Sequence, residues 1–164
     1  NGRTDKGVAN IYVDSIALTN LLDLFLARSG NYPKQKKVFN AIRFGEGCFL
    51  GDISYDHAPT NIGYALNVDT GVFVAPFTAT YFFTFSGYSQ ECDGNNNKEI
   101  QQIQNGVQTG YFYHYGNNHH LTHQWMVELR AGDEYKLRTN ENWPFYSTSS
   151  DTLVFTGQLV YLNE

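Results

Sequence analysis

The sequence predicts an all-β fold, a sandwich or a barrel, on three observations. Apolar residues recur at every second position through most of the chain beyond residue 37, the period at which successive side chains of a strand change face. Turn signals interrupt these runs at short intervals: Asp69 to Gly71, Asp93 to Asn97, Asn105-Gly106, Gly116-Asn117, Gly132-Asp133 and Asn140 to Pro144. Residues 78–88, TATYFFTFSGY, place five aromatic side chains in eleven positions, Tyr81, Phe83 and Phe85 on one face of a strand and Phe82 and Tyr88 on the other. A strand aromatic on both faces needs cover on both, from an overlying loop or a neighbouring subunit.

The first element has a different period. In VDSIALTNLLDLFLARSG, residues 13–30, Leu18, Leu21, Leu22, Phe25 and Leu26 fall three and four apart. This predicts a short N-terminal amphipathic helix, with Asp14 or Ser15 at its start and Gly30 at its close. Such a helix alone is marginal in water, so its stripe needs a partner, either the domain or copies of itself. GNYPKQKK, residues 30–37, reads as a linker. The chain therefore divides into an N-terminal segment, 1–35, and a globular domain, 36–164. Within the domain, Val38, Asn40, Ile42 and Phe44 alternate with Phe39, Ala41 and Arg43, and Ile62, Tyr64 and Leu66 alternate with Gly63 and Ala65. Trp125, Val127 and Leu129 predict a further strand, and Leu153, Phe155, Gly157, Leu159 and Tyr161 predict the last, with those five on one face.

A chain of 164 residues can bury one sizeable core. Only 16% of its residues are charged, so neutral polar groups must solvate most of the surface. A net charge of -5 without a Lys/Arg run argues against nucleic acid, because phosphate neutralisation needs clustered cations. The one basic cluster, Lys34, Lys36 and Lys37, falls in the linker. Asp23 interrupts the best apolar run, LLDLFLA, well short of a bilayer span, so no membrane insertion is expected. Cys48 and Cys92 permit an intrachain disulfide, two free thiols or an intermolecular bridge, and their spacing fits no zinc motif.

Tyr55, Asn61, Leu66, Phe73, Ala79, Tyr81, Phe83 and Phe85 carry a recognisable spacing of aromatic, Asn, large apolar, Phe and G-x-Y-x-F-x-[FY]. In it, and in VFNAIRF (38–44), LRAGDEYKL (129–137) and LVFTGQLVY (153–161), the domain resembles the globular head of complement C1q, within the C1q and tumour-necrosis-factor superfamily. Two positions depart from the pattern: Tyr55 stands where Phe is usual and Ala79 where Gly is usual. The resemblance implies a secreted, ten-stranded jelly-roll sandwich that associates as a homotrimer. It also implies that Tyr81, Phe83 and Phe85 are buried between subunits. The N-terminal helix would then serve as a short stalk, in place of the collagen-like repeats of some relatives.

Four of the five histidines lie in YFYHYGNNHHLTHQ, residues 111–124. Imidazoles are common ligands of transition metals, and a loop near a threefold axis presents three copies of each, so His119, His120 and His123 are candidate ligands there. Some relatives bind calcium at the trimer apex through acidic residues in this region. Residues 111–124 contain neither Asp nor Glu, so calcium is not expected. No G-x-S-x-G elbow, no Cys nucleophile beside a base and no evident carboxylate pair is present, so an enzyme is not expected. Loops rich in Tyr, Asn, His and Trp suit sugars, since an aromatic ring stacks on a pyranose while amides and imidazoles bond its hydroxyls. The candidates are Tyr113, His114, Tyr115, Asn117, Asn118 and His119 in one loop, Asn95 to Asn97 in a second, and Trp143 with Tyr146 in a third.

Three functions follow. The first is a trimeric, lectin-like pattern-recognition protein of innate-immunity type, binding glycans or microbial and cell-surface ligands, with three weak sites on one particle. The second is a signalling ligand that engages a cell-surface receptor. The third is a structural or adhesive protein of the extracellular matrix.

Overall fold

Alternating side chains and short turns give twelve strands in a computed structural model, which describes residues 37–44, 47–89, 97–115, 119–140, 145–147 and 153–163. The expected helix within residues 13–30 lies outside the described residues, as do Cys92, Asn117, Asn118 and Trp143. Lys34–Glu164 separates as one unit from the residues before it.

The strands are β1 (Lys37–Arg43), β2 (Gly47–Phe49), β3 (His57–Asn61), β4 (Leu66–Asn67), β5 (Val72–Val74), β6 (Ala79–Ser89), β7 (Asn97–Gln104), β8 (Val107–Tyr115), β9 (His119–Leu129), β10 (Glu134–Thr139), β11 (Phe145–Ser147) and β12 (Leu153–Leu162). Ten of them build two five-stranded sheets, ordered β3-β1-β12-β6-β9 and β4-β5-β10-β7-β8, while β2 and β11 pair by themselves. Neighbours run antiparallel. This is the jelly-roll sandwich that the resemblance implies. The Asn105-Gly106 signal makes a two-residue hairpin: both residues have positive φ, 50° and 80°, as a type I′ turn requires, and Gln104 pairs with Val107 across it.

The core is aromatic. Phe83 of β6 lies parallel to Tyr135 of β10, with centroids 4.8 Å apart, and packs on Phe155, Phe73 and Trp125 within 5.8 Å. Gly157 makes this possible. A Cβ there would come 2.4 Å from the Phe39 ring and 2.8 Å from that of Phe83, so only a bare backbone lets the two rings meet over β12. Trp125 Nε1 donates to the Tyr135 hydroxyl at 2.7 Å, which donates to Gln102 Oε1 at 3.0 Å, so a polar chain crosses between the sheets inside the aromatic layer. Burial pushes the Tyr135 phenol far up, so it stays protonated as a donor.

Here one expectation is corrected. Tyr81, Phe83 and Phe85 have no exposed surface in the single chain. They face the second sheet and are sealed by the chain's own sandwich, so they are not available as a trimer interface. The Tyr81 hydroxyl is also engaged locally: it donates to Phe77 O at 2.9 Å and accepts from Phe77 N at 3.1 Å, fastening the turn before β6.

Two further departures have local causes. Ile62 to Tyr64 forms a 3-10 turn, not a strand, and Tyr64 is almost fully exposed with φ of 54°. The Asn61 amide accepts from Leu66 N at 3.0 Å and donates to Leu66 O at 2.7 Å, closing the intervening residues into a loop. In β12 the register shifts between Leu159 and Tyr161. Val160 is the extra residue of a bulge, so Tyr161 pairs with Thr80 and leaves the face shared by Leu153, Phe155 and Gly157.

Candidate functional site

Strand β8 ends the second sheet, and alternation decides which of its side chains a ligand can reach. Phe112 points inward, onto Phe85, His123 and Trp125 of the first sheet, at centroid distances of 5.7, 4.4 and 5.6 Å. Its neighbours therefore face outward: Tyr111, Tyr113 and Tyr115 are 62%, 47% and 70% exposed. Three rings at every second position extend along about 14 Å of strand.

Strand β7 lays a polar row beside these rings. Tyr111 pairs with Gln101 and Tyr113 with Glu99. Glu99 Oε1 accepts from Gln101 Nε2 at 3.0 Å and from Asn140 Nδ2 at 2.9 Å, so two amides hold the carboxylate in place. Residues 107–115 include no Asp, Glu, Lys or Arg. On the next strand but one, Lys136 and Arg138 bind Asp52, at 2.6 and 2.7 Å. Partial burial raises the Asp52 carboxyl, but hydrogen bonds and charge from Arg138 and Lys136 outweigh this and hold it below its ordinary range.

Of the residues predicted from sequence, Tyr113 and Tyr115 lie on this face. His114 does not: it turns inward with Nε2 buried, as parity demands of the residue between two outward tyrosines. His119 begins β9 and Tyr146 lies in β11 opposite Cys48, so both are strand positions instead of loop tips. Cys48 is disulfide-bonded. Sequence reasoning missed Tyr111, Glu99, Gln101 and Asn140. The repeat of Tyr at 111, 113 and 115 was the available signal for the first; the other three come from strand order.

Of the histidines expected as metal ligands at a threefold axis, His120 and His123 lie on opposite faces of β9 in the single chain. His120 is exposed on the outer face of β9 and meets the Tyr88 ring edge-on at 5.2 Å. His123 faces inward, stacked between Phe112 at 4.4 Å and Trp125 at 5.4 Å. An odd separation on a strand sends two side chains to opposite faces, so His120 and His123 of one chain cannot share an ion. Burial lowers the His123 pKa, favouring the neutral ring. Among the described residues, no group of three His, Cys, Asp or Glu side chains could hold a metal. Among them too, no helix is long and apolar enough to cross a membrane.

A polar groove of about 410 Å³ opens at one end of the sandwich, lined by Gln104, Asn105, Glu128, Arg130, Asp133 and Asn163 among others. Its groups largely bind one another. Asp133 accepts from Asn105 Nδ2, Arg130 N and Gln104 Nε2, and Asn105 Oδ1 accepts from Glu134 N. These bonds, that from Asn105 foremost, hold the Asp133 carboxyl below its ordinary range. The corner ties the β7–β8 turn to the β9–β10 turn and is accounted for by the fold.

No curated protein matches the chain by sequence. Among solved structures, the globular domain of zebrafish complement 1qA is similar at 16% identity and a TM-score of 0.62, covering 79% of this chain and 100% of that one. Eiger TNF from S. frugiperda is similar at 11% identity and a TM-score of 0.58, over 79% and 96% of the two chains. Murine APRIL is similar at 9% identity and a TM-score of 0.56, over 74% and 98%. These likenesses concern the fold. The family model of the C1q domain matches residues 38–160, from β1 into β12 and so through both sheets. With that match over most of its length, the chain belongs to the C1q domain family.

Proposed function

We propose that the chain is a secreted recognition protein of lectin type, which associates as a homotrimer and acts by binding and not by catalysis. The observation that carries this reading is the division of exposed rings and apolar groups between the two outer faces of the sandwich. On the first sheet Met126, Val160 and Tyr161 are exposed around a half-buried Phe82. Phe82 has Met126 on one side and Gln158 on the other, so the apolar groups gather around it while polar residues such as Thr84, Gln124 and Thr156 lie farther along the same strands. Apolar area left in water forgoes about 25 cal/mol per Å², and further copies of the chain would recover it. The second sheet instead sets its rings beside fixed amides and a carboxylate, the pairing that sugars require. A trimer would repeat that weak site three times.

Sedimentation at low concentration and a glycan array test the two halves. The reading expects a trimer that retains sugars; a folded monomer, or a trimer that retains none, overturns it. Cell binding that survives glycosidase treatment would favour a receptor-binding signalling ligand instead.

A further inference from the structure

Resting on the lectin reading, we propose that the ligand is an uncharged polysaccharide bound along the outer face of β8 as an extended segment. Tyr111, Tyr113 and Tyr115 stack on its sugar rings, while Glu99, Gln101 and Asn140 bond its hydroxyls. The shape of the site supports an extended ligand. The three tyrosines stand in line on one strand, so they offer successive ring faces to a chain and no cup to a single terminal sugar. Among the described residues β8 is the last strand of its sheet, so none of the described strands lies beyond that edge.

Charge selects the class. The only formal charge on the outward face of β7 and β8, among side chains described there, is Glu99, since Lys98 is buried on the opposite face. The nearby cations Lys136 and Arg138 are bound to Asp52. A sulfated or carboxylated polysaccharide would bring its charges onto Glu99, while Asp52 cancels one of the two positive charges of Lys136 and Arg138 and holds both side chains in ion pairs. A neutral chain brings hydroxyl donors to a carboxylate whose position two amides already fix. Tyrosine suits such a surface, giving a large rigid contact for two side-chain torsions and a hydroxyl at its tip.

Titration calorimetry of the full chain tests this, with a soluble β-glucan, a mannan and heparin as probes and an oligosaccharide series from the better neutral binder. Affinity should rise with oligosaccharide length and level off, and heparin should bind more weakly than the neutral chain. Tyr111→Ser and Tyr115→Ser should each cost about tenfold in affinity with thermal unfolding unchanged. Glu99→Gln, which keeps the shape, should weaken binding of the neutral ligand and strengthen that of heparin at low salt. If a neutral glycan binds but these variants keep full affinity while Trp143→Ala loses it, the β8 platform is overturned and the lectin reading stands. Tighter binding of heparin overturns the charge argument. No binding of any probe by the wild-type chain overturns both readings together.

Discussion

Two ladders of three aromatic rings run through this domain at the same spacing and meet opposite fates. On β6, Tyr81, Phe83 and Phe85 have no exposed surface; on β8, Tyr111, Tyr113 and Tyr115 are roughly half exposed or more. Both are every-second-residue patterns, so spacing does not separate them. Position in the sheet does. Strand β6 lies between β12 and β9 with the second sheet beneath, whereas β8 is an edge strand whose inward positions are already taken by Phe112 and His114. The difference teaches that a row of rings declares a face, while its neighbours decide whether that face is core or contact.

The largest test of the contrast removes one ring from each ladder. Phe83→Ala should cost about 3–5 kcal/mol in denaturant unfolding, and Tyr113→Ala less than about 0.5 kcal/mol, because only the first leaves a cavity. Equal losses would mean that the β8 rings are also core. Gly157→Ala should cost about 1–3 kcal/mol by driving a methyl against Phe39 and Phe83; a neutral result would show that the inner ladder is looser than its contacts. Tyr55→Phe should gain about 1 kcal/mol. The Tyr55 ring stacks on Phe155, but its buried hydroxyl has no hydrogen-bond partner among the described residues.

The smallest effect is one of pH, and it falls on the ring that closes the edge between β8 and β9. Burial holds the His123 pKa below its ordinary 6.5, so the unfolded chain takes up its proton first as the solution is acidified. That stabilisation is complete above pH 6.5 and is lost as pH falls from there towards the folded-state value. His123→Phe should therefore flatten the fall in melting temperature as the pH drops below 6.5. An unchanged profile would place the acid sensitivity elsewhere.

Much of this arrangement was legible in the sequence. The signals at 69–71 and Asn105-Gly106 marked hairpins, β4 to β5 and β7 to β8, while Gly132-Asp133 marked a crossing between the sheets. Tyr113 and Tyr115 were readable as contact residues. What was hidden depended on partners distant in the chain. A strand aromatic on both faces does not say which face is inside, and the family resemblance alone puts the β6 ladder at a subunit boundary. Alternation was carried straight through Val160, where one inserted residue moves Tyr161 to the other face. His114 was grouped with its tyrosine neighbours by proximity, though parity on a strand separates them. Glu99 and Asn140 are 41 residues apart and meet only through the fold.

The missing side chain at Gly157 has a mechanical consequence. With the Phe39 and Phe83 rings pressed against bare backbone, the side chains of β1 and β6 meet across β12 with no room left between them and the strand that separates them. A ligand resting on the outer surface of that sheet would then meet a backing that is close-packed behind β12 and has little room to give.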